Sequence, residues 1–567
     1  TKNCRLRFSR QITMRLGSEN LIFWGAGATF SVGMRASQGQ TNSIKELVGK
    51  GTEPLTDRVN NVLPFQVDWR EPFTDLLLIL GDDAKDLYEI SDAAQQAMSR
   101  HWHDTPEHPL LSRIHELRAL YDWPTLKEVV RTCPGFKEGD RFQIQDVFNL
   151  LDLHIKSQHG FPVAGKFLPA THLVAARNAL HLMLNTLFYV DWQHAITDSG
   201  KNLELEKHLS FARLLAEHHQ QKGLALASEG KQPDTREFYL GDIAFARLNY
   251  EPVALWAQFI ANREANQNPP YIDSPCVPLK IFHDFGIFMA VSTIDNKTEE
   301  NGETERIWYP LNEASAQRLN DREYSSRRVR INKFLFPHGC LCWRECPSCG
   351  KLSSYMGKEW KFLSPTLIPP PPLRGFVELA GKQIEHKTEA EAEREAWQRG
   401  EVDARACVHC GVMTYAQHTQ AVMQSNFKSL PPSFIDEVQR DLRVATLAAN
   451  HIILMGYSLP PDDVAYRSFF AARKNRKNNE GEEETVRCSV VVETQYGECW
   501  HGPDKLSALI DSMDKGTAPR TTLESARDLF GRDNVRFYGG GIPQVFCEGE
   551  QASSSRLEQL INWHSTQ

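Results

Sequence analysis

The sequence predicts an α/β fold, a doubly wound parallel sheet carrying a large helical insertion and a small zinc-ribbon module, and three observations predict it. An apolar run, Leu21-Ile22-Phe23-Trp24, ends directly in Gly25-Ala26-Gly27, the pattern of a buried strand entering a tight turn before a helix. Further apolar runs return far downstream and end in glycine or polar residues, as strands do at the ligand edge of an open α/β sheet. Two C-x-x-C pairs, Cys346/Cys349 and Cys407/Cys410, lie between two of those runs.

Taken in order, residues 16–70 hold the first strand and glycine turn. Over residues 71–240 apolar residues recur at helical spacing, with Leu173, Ala176, Leu180, Met183 and Leu187 as the clearest stripe, and this is the helical insertion. Its most apolar stretch, Leu168 to Val190, is broken by His172, Arg177, Asn178, His181 and Asn185, which predicts a core helix and not a membrane span. Strand-like runs return over 241–339, at Ile243–Ala246, Ile281–Phe282, Ile287–Val291 and Phe334–Phe336. Residues 340–433 carry both cysteine pairs, a proline tract (Pro369–Pro372) and a charged stretch (Glu385–Arg405) that reads as a solvated helix. The sheet resumes over 434–547 with Ile452–Met455, Cys488–Val492 and Val535–Tyr538, and 548–567 form a tail.

Composition narrows the function classes. The chain has 567 residues, 41% of them hydrophobic and 24% charged, with a formal net charge of -8, so bulk electrostatics give no footprint for nucleic acid. The basic run Arg322 to Lys333 reads either as a surface for phosphate-rich partners or, from its alternating apolar and polar character, as easily as a solvated edge or an interface. Thr1 to Arg15 lacks the apolar run of a secretory signal, which with the paired cysteines points to a reducing, cytoplasmic setting. In that setting two C-x-x-C pairs complete a tetrahedral zinc site, and a closed four-thiolate site is structural. Cys340 and Cys342, just upstream, are alternates for the first pair.

The loop Gly25-Ala26-Gly27-Ala28-Thr29-Phe30-Ser31-Val32-Gly33 has the glycines that let backbone amides approach a pyrophosphate at a helix N-terminus. Asn249, at the end of an apolar run, is either a turn former or a ligand for ribose hydroxyls or water. Glu493, directly after Val490-Val491-Val492, stands where a carboxylate accepts adenosine ribose hydroxyls or is simply exposed. Asp462 and Asp463 read as helix caps.

In this order the motifs resemble those of the sirtuins, the NAD-consuming silent-information-regulator family. Gly25 to Met34 is similar to the family's phosphate loop, Arg247-Leu248-Asn249-Tyr250-Glu251 to its Asn-containing strand end, and Phe336-Pro337-His338-Gly339 to the His-Gly that supplies the base. The two cysteine pairs look like the structural zinc module, and Met455-Gly456-Tyr457-Ser458-Leu459-Pro460 like the turn that contacts the cofactor. The resemblance implies a Rossmann-like fold with NAD as substrate and a structural zinc. It assigns cofactor contacts to Gly25, Ala26, Gly27, Thr29, Phe30, Gly33, Gly456, Ser458 and Glu493, and catalysis to Asn249 and His338.

Two departures bear on the acceptor of the ribose. Ala36 stands where the deacylases of this family carry a nicotinamide-contacting Asp, and no Phe-Gly-Glu segment follows the second cysteine pair to receive a substrate peptide. Water is therefore the expected acceptor. The closest resemblance is to sirtuin-like NAD glycohydrolases that deplete NAD in bacterial antiviral defence (abortive infection). That group works as homo-oligomers or beside a separate sensor or ATPase. A protein-lysine deacylase and a non-catalytic NAD- or ADP-ribose-sensing subunit stand as alternatives.

Overall fold

The computed structural model describes residues 17–50, 121–137, 142–163, 165–272, 277–287, 289–292, 311–324, 326–345, 352–355, 419–421, 433–461, 463–476 and 484–566. Its centre is a nine-stranded sheet. In chain order the strands are β1 (Asn20–Trp24), β2 (Ile243–Arg247), β3 (Tyr271–Ile272), β4 (Val277–Asp284), β5 (Arg328–Leu335), β6 (His451–Met455), β7 (Arg487–Val491), β8 (Glu493–His501) and β9 (Val535–Gly540). The spatial order is β8-β9-β7-β6-β1-β2-β5-β4-β3. All neighbours from β9 to β4 run parallel, and only the edge strands β8 and β3 pair antiparallel.

Burial on both faces explains why these strands read as continuous apolar runs and not as alternating ones. Every residue of β1, β2 and β6 is buried. The chain extends the sheet from β1 toward β2 on one side and resumes through β6 on the other, so β1 and β6 flank the topological switch point. Register then aligns the exits, since Trp24 pairs with both Arg247 and Met455. The turns after β1, β2 and β6 consequently leave the sheet side by side.

Helices dominate the described residues between β1 and β2. After α1 (Ser37–Lys50) come α2 (Trp123–Thr132), α3 (Ile144–Ser157), α4 (Ala170–Thr197) and α5 (Ser199–Ser228). Asp198 closes α4 and caps α5, accepting from the amides of Gly200 and Lys201. Aromatic packing seats α5 on the sheet: Phe211 lies over Phe546 with ring centroids 4.1 Å apart, and both stack against Trp24. No helix among the described residues is long and apolar enough to cross a membrane. Beyond the insertion, α6 (Val253–Gln267), α7 (Ser433–Ala448) and α8 (Val464–Lys474) cover the sheet.

The basic run is corrected by the structure. Arg322, Glu323 and Ser326 are exposed, but β5 lies between β2 and β4 with all eight residues buried, so the part of the run from Arg328 to Lys333 is neither a solvated edge nor an outer interface. Its alternation marks two covered faces. Lys333 is neutralised by Asp284 at 2.9 Å, Asp441 at 2.8 Å and Glu313 at 3.1 Å.

A second, four-stranded sheet joins Thr419–Ala421, Gly339–Glu345, Leu352–Tyr355 and Met289–Ser292. Cys340 lies in it, fully buried in the main core. Cys346, Cys349, Cys407 and Cys410 lie outside the described residues, as do the proline tract and the charged stretch. Among the described residues no group of three or more His, Cys, Asp or Glu is placed to hold a metal ion.

Candidate functional site

The three aligned turns enclose a cavity of about 270 Å³ at the C-terminal edge of the sheet. Its walls include Gly25, Ala26 and Thr29 after β1, Leu248 to Glu251 after β2, and Gly456 to Ser458 after β6. The volume is near the lower end of the range for small-molecule sites.

Glycine is required where the first and third turns touch. Gly456 has φ +61°, and a Cβ there would overlap the amide nitrogen of Ala28. A Cβ on Gly25 would come within 2.5 Å of the Gly456 carbonyl oxygen. The Gly27 amide donates to that same carbonyl at 3.0 Å, and the Ala28 amide donates to Gly25 at 2.9 Å. The helix expected directly after this glycine turn is a short one. Residues Ala26–Thr29 form one short 3-10 turn, Gly33 turns left-handed at φ +92°, and α1 begins only at Ser37.

The second turn supplies the polar chemistry. Glu251 Oε1 accepts from the Thr29 hydroxyl at 3.0 Å and from Asn249 Nδ2 at 2.8 Å, while Oε2 accepts from the Val253 amide at 2.7 Å. Asn249 Nδ2 also donates to Thr29 Oγ1 at 3.1 Å. A carboxylate only accepts, so the Asn249 amide must turn its NH2 toward Glu251. That leaves Oδ1 as the acceptor that neither Glu251 nor Thr29 engages. Asn249 is 5% exposed, and its Oδ1 has no hydrogen-bond partner. Such an orphaned acceptor at a cavity wall calls for a donor from a ligand or water.

Burial raises the Glu251 pKa above the ordinary glutamate value, opposed by the nearby Arg247 charge and the three donors. Arg247, fully buried over the Trp24 ring at 4.5 Å, is itself pulled down to about 9 by desolvation. The third turn is braced by Tyr457, whose hydroxyl donates to Asp463 at 2.6 Å. Asp463 does stand at the N-cap of α8, but its side chain serves Tyr457 and makes no cap hydrogen bond.

The insertion closes the far wall. Gln145 of α3 and Phe188 of α4 line the cavity with Arg35 and Gln40. Arg35 binds Asp191 of α4 through two nitrogens, Nε at 2.6 Å and Nη2. His208 of α5 meets the Ala28 carbonyl oxygen at 3.0 Å, and burial holds its pKa below the usual histidine value.

Of the sequence-derived site residues, Gly25, Ala26, Thr29, Asn249, Gly456 and Ser458 come together at this cavity. Gly27 supports it from behind. Phe30 is 64% exposed, Gly33 abuts Lys201, and Glu493 is exposed at the edge-strand start, none of them at the wall. His338 is fully buried and also off the wall, with Nδ1 3.3 Å from the Leu248 carbonyl oxygen and its ring stacked on Tyr250, which does line the cavity. Sequence reasoning did not single out Glu251, although its position two residues after Asn249 is the kind of signal that marks an orienting carboxylate. Gln145 and Phe188 carry no local signal, because only the tertiary fold brings α3 and α4 to the glycine turn.

The fold and cavity define an α/β protein of Rossmann-like class with a polar cavity at its switch point. No protein-family model matches the chain, and comparison with curated proteins gives no match.

Proposed function

We propose that the protein is an NAD glycohydrolase, cleaving NAD and water to nicotinamide, ADP-ribose and a proton. One observation carries the reading: Asn249, whose Nδ2 is held by Glu251 and Thr29 and whose Oδ1 has no hydrogen-bond partner, lines a small cavity bounded by two glycine turns. Breaking the bond between nicotinamide and ribose sends its electron pair to the leaving nicotinamide and leaves positive charge on the ribose carbon. A fixed amide oxygen favours that charge and accepts a hydrogen bond from the attacking water. The glycine turns let a pyrophosphate approach the backbone closely. In this arrangement Asn249 touches the reacting atoms, whereas His338 stands behind Tyr250 and acts as a base only if that ring moves aside. The resemblance to defence effectors extends the proposal to NAD depletion in antiviral defence by an oligomer or a sensor-coupled complex, with the two C-x-x-C pairs holding structural zinc.

The test is chromatographic. Purified protein is incubated with NAD, with and without an acyl-lysine peptide, and nicotinamide and ADP-ribose are followed. Peptide-independent release of both products supports the hydrolase. Release that requires the peptide makes the protein a deacylase, and ADP-ribose binding without turnover makes it a sensing subunit.

A further inference from the structure

We propose that a second cavity, at the opposite edge of the same sheet, binds a small oxyanion, phosphate or carboxylate, through Arg330, Arg473 and Lys222. This cavity has a volume of about 520 Å³. It is walled by residues that precede β1, β2, β6 and β7, among them Gly17, Asp242, Asn450 and Glu484. A five-residue strand, roughly 17 Å long, therefore separates it from the candidate NAD site.

The deep wall is cationic. Arg330 is 1% exposed and donates Nη1 to the Phe238 carbonyl and Nη2 to the Leu240 carbonyl at 3.5 Å, while its Nε has no hydrogen-bond partner. No carboxylate forms an ion pair with it among the described residues. The contrast with Lys333 on the same strand, which binds three carboxylates, shows what this fold does when a buried cation is to be neutralised internally. A Cβ on Gly223, inside α5, would lie 2.6 Å from Leu279 Cδ2 and 2.7 Å from Arg330 Cδ, so this glycine makes room for both side chains. A mid-helix glycine costs about 1 kcal/mol relative to alanine, so seating the pair is itself a cost.

Arg473, also fully buried, spends its donors on the Ala449 carbonyl at 2.7 Å, the Glu484 carbonyl at 3.2 Å and Asn450 Oδ1 at 3.3 Å. Its nearest carboxylate, Glu484, is 3.9 Å away and engaged by Arg476 at 3.0 Å. Lys222, half-buried, makes no ion pair with a described residue.

Acidic groups are present but differently placed. Asp242 lines the cavity too, with Oδ2 held by His218 at 2.8 Å and Oδ1, which accepts no hydrogen bond, 3.6 Å from His219, whereas Glu19, Glu229 and Glu237 are exposed at the rim, where water screens them. Burial draws the Arg330 pKa down to about 10 against the opposing charge of Asp242, and a bound oxyanion relieves that cost further through charge-assisted hydrogen bonds. The acidic rim disfavours long polyanions, which restricts the occupant to a small solute.

The test is calorimetric titration of the full chain with inorganic pyrophosphate and, separately, malonate, at ionic strength matched with chloride. The proposal expects one of them to bind, the phosphate or the carboxylate arm naming the ligand class. Lys222→Ala and Arg330→Met should each weaken binding by roughly tenfold or more, whereas Asn249→Ala leaves it unchanged. Should Arg330→Met fail to fold, Lys222→Ala decides alone. Absence of binding by both probes, or binding indifferent to Lys222→Ala, overturns the proposal. NAD cleavage is scored on the same preparations, so either proposal can fail while the other stands.

Discussion

Replacing Glu251 by glutamine tests the orientation of Asn249 without emptying the site. Glu251 accepts three hydrogen bonds, two from Thr29 and Asn249 at Oε1 and one from the Val253 amide at Oε2. Glutamine has one accepting oxygen. If that oxygen stays with the Val253 amide, the new NH2 confronts the donors of Asn249, which must flip and present NH2 instead of Oδ1 to the cavity. The lost contact is a hydrogen bond to a charged group, worth about 1.5–3 kcal/mol, and converts to roughly a 10- to 150-fold fall in kcat for nicotinamide release. Fold stability should change by less than about 2 kcal/mol, because the same substitution removes a buried charge whose carboxyl pKa is already raised by desolvation. The assay pairs steady-state nicotinamide release with urea denaturation. Wild-type kcat in a stable Glu251→Gln protein refutes the claim that Glu251 sets the Asn249 amide.

Three further outcomes are expected. Gly456→Ala, at φ +61° and against the Ala28 amide, should lose about 1–3 kcal/mol of stability and weaken ADP-ribose binding, both readable by denaturation and titration. Asp191→Ala strands the largely buried Arg35 and should cost about 2–3 kcal/mol in denaturation while raising KM for NAD; an unaltered KM would separate the insertion from the cavity. Burial lowers the pKa of His219 to about 4 and of His283 and His451 to about 3 from 6.5, so their stabilising contribution is complete above pH 6.5 and is lost as pH falls toward the lowered values. Between pH 7 and pH 5 each should remove up to about 2 kcal/mol, and a denaturation midpoint unmoved over that interval contradicts this account.

The parts of the fold that were legible in the sequence are those where local pattern and tertiary role coincide. Leu21 to Trp24 and Ile452 to Met455 are buried on both faces, so an unbroken apolar run followed by glycine sufficed to place β1, β6 and their turns. Asn249 was legible for the same reason, as the first polar residue past a buried strand. Only the end of β5, at Phe334 and Leu335, was legible, because Arg328, Arg330 and Lys333 look like surface residues until Asp284, Glu313 and Asp441 arrive from distant segments to cover Lys333. The loop after β1 was read as entering a helix, yet Gly33 and the Gly27 contact with Gly456 hold a 3-10 turn. Residues from α3 and α4 reach the cavity through tertiary contacts that no periodicity encodes, such as the Arg35 and Asp191 pairing across 156 positions and the Ile144 amide donating to Thr41.

The central claim is that Asn249 Oδ1 acts on the ribose during cleavage. The most direct measurement is single-turnover nicotinamide release by wild type and Asn249→Ala, with ADP-ribose affinity measured on both. Release by the wild type without any peptide is expected, with a loss of at least about 100-fold in Asn249→Ala and ADP-ribose affinity kept within a few fold. Equal release by the two proteins would contradict the claim.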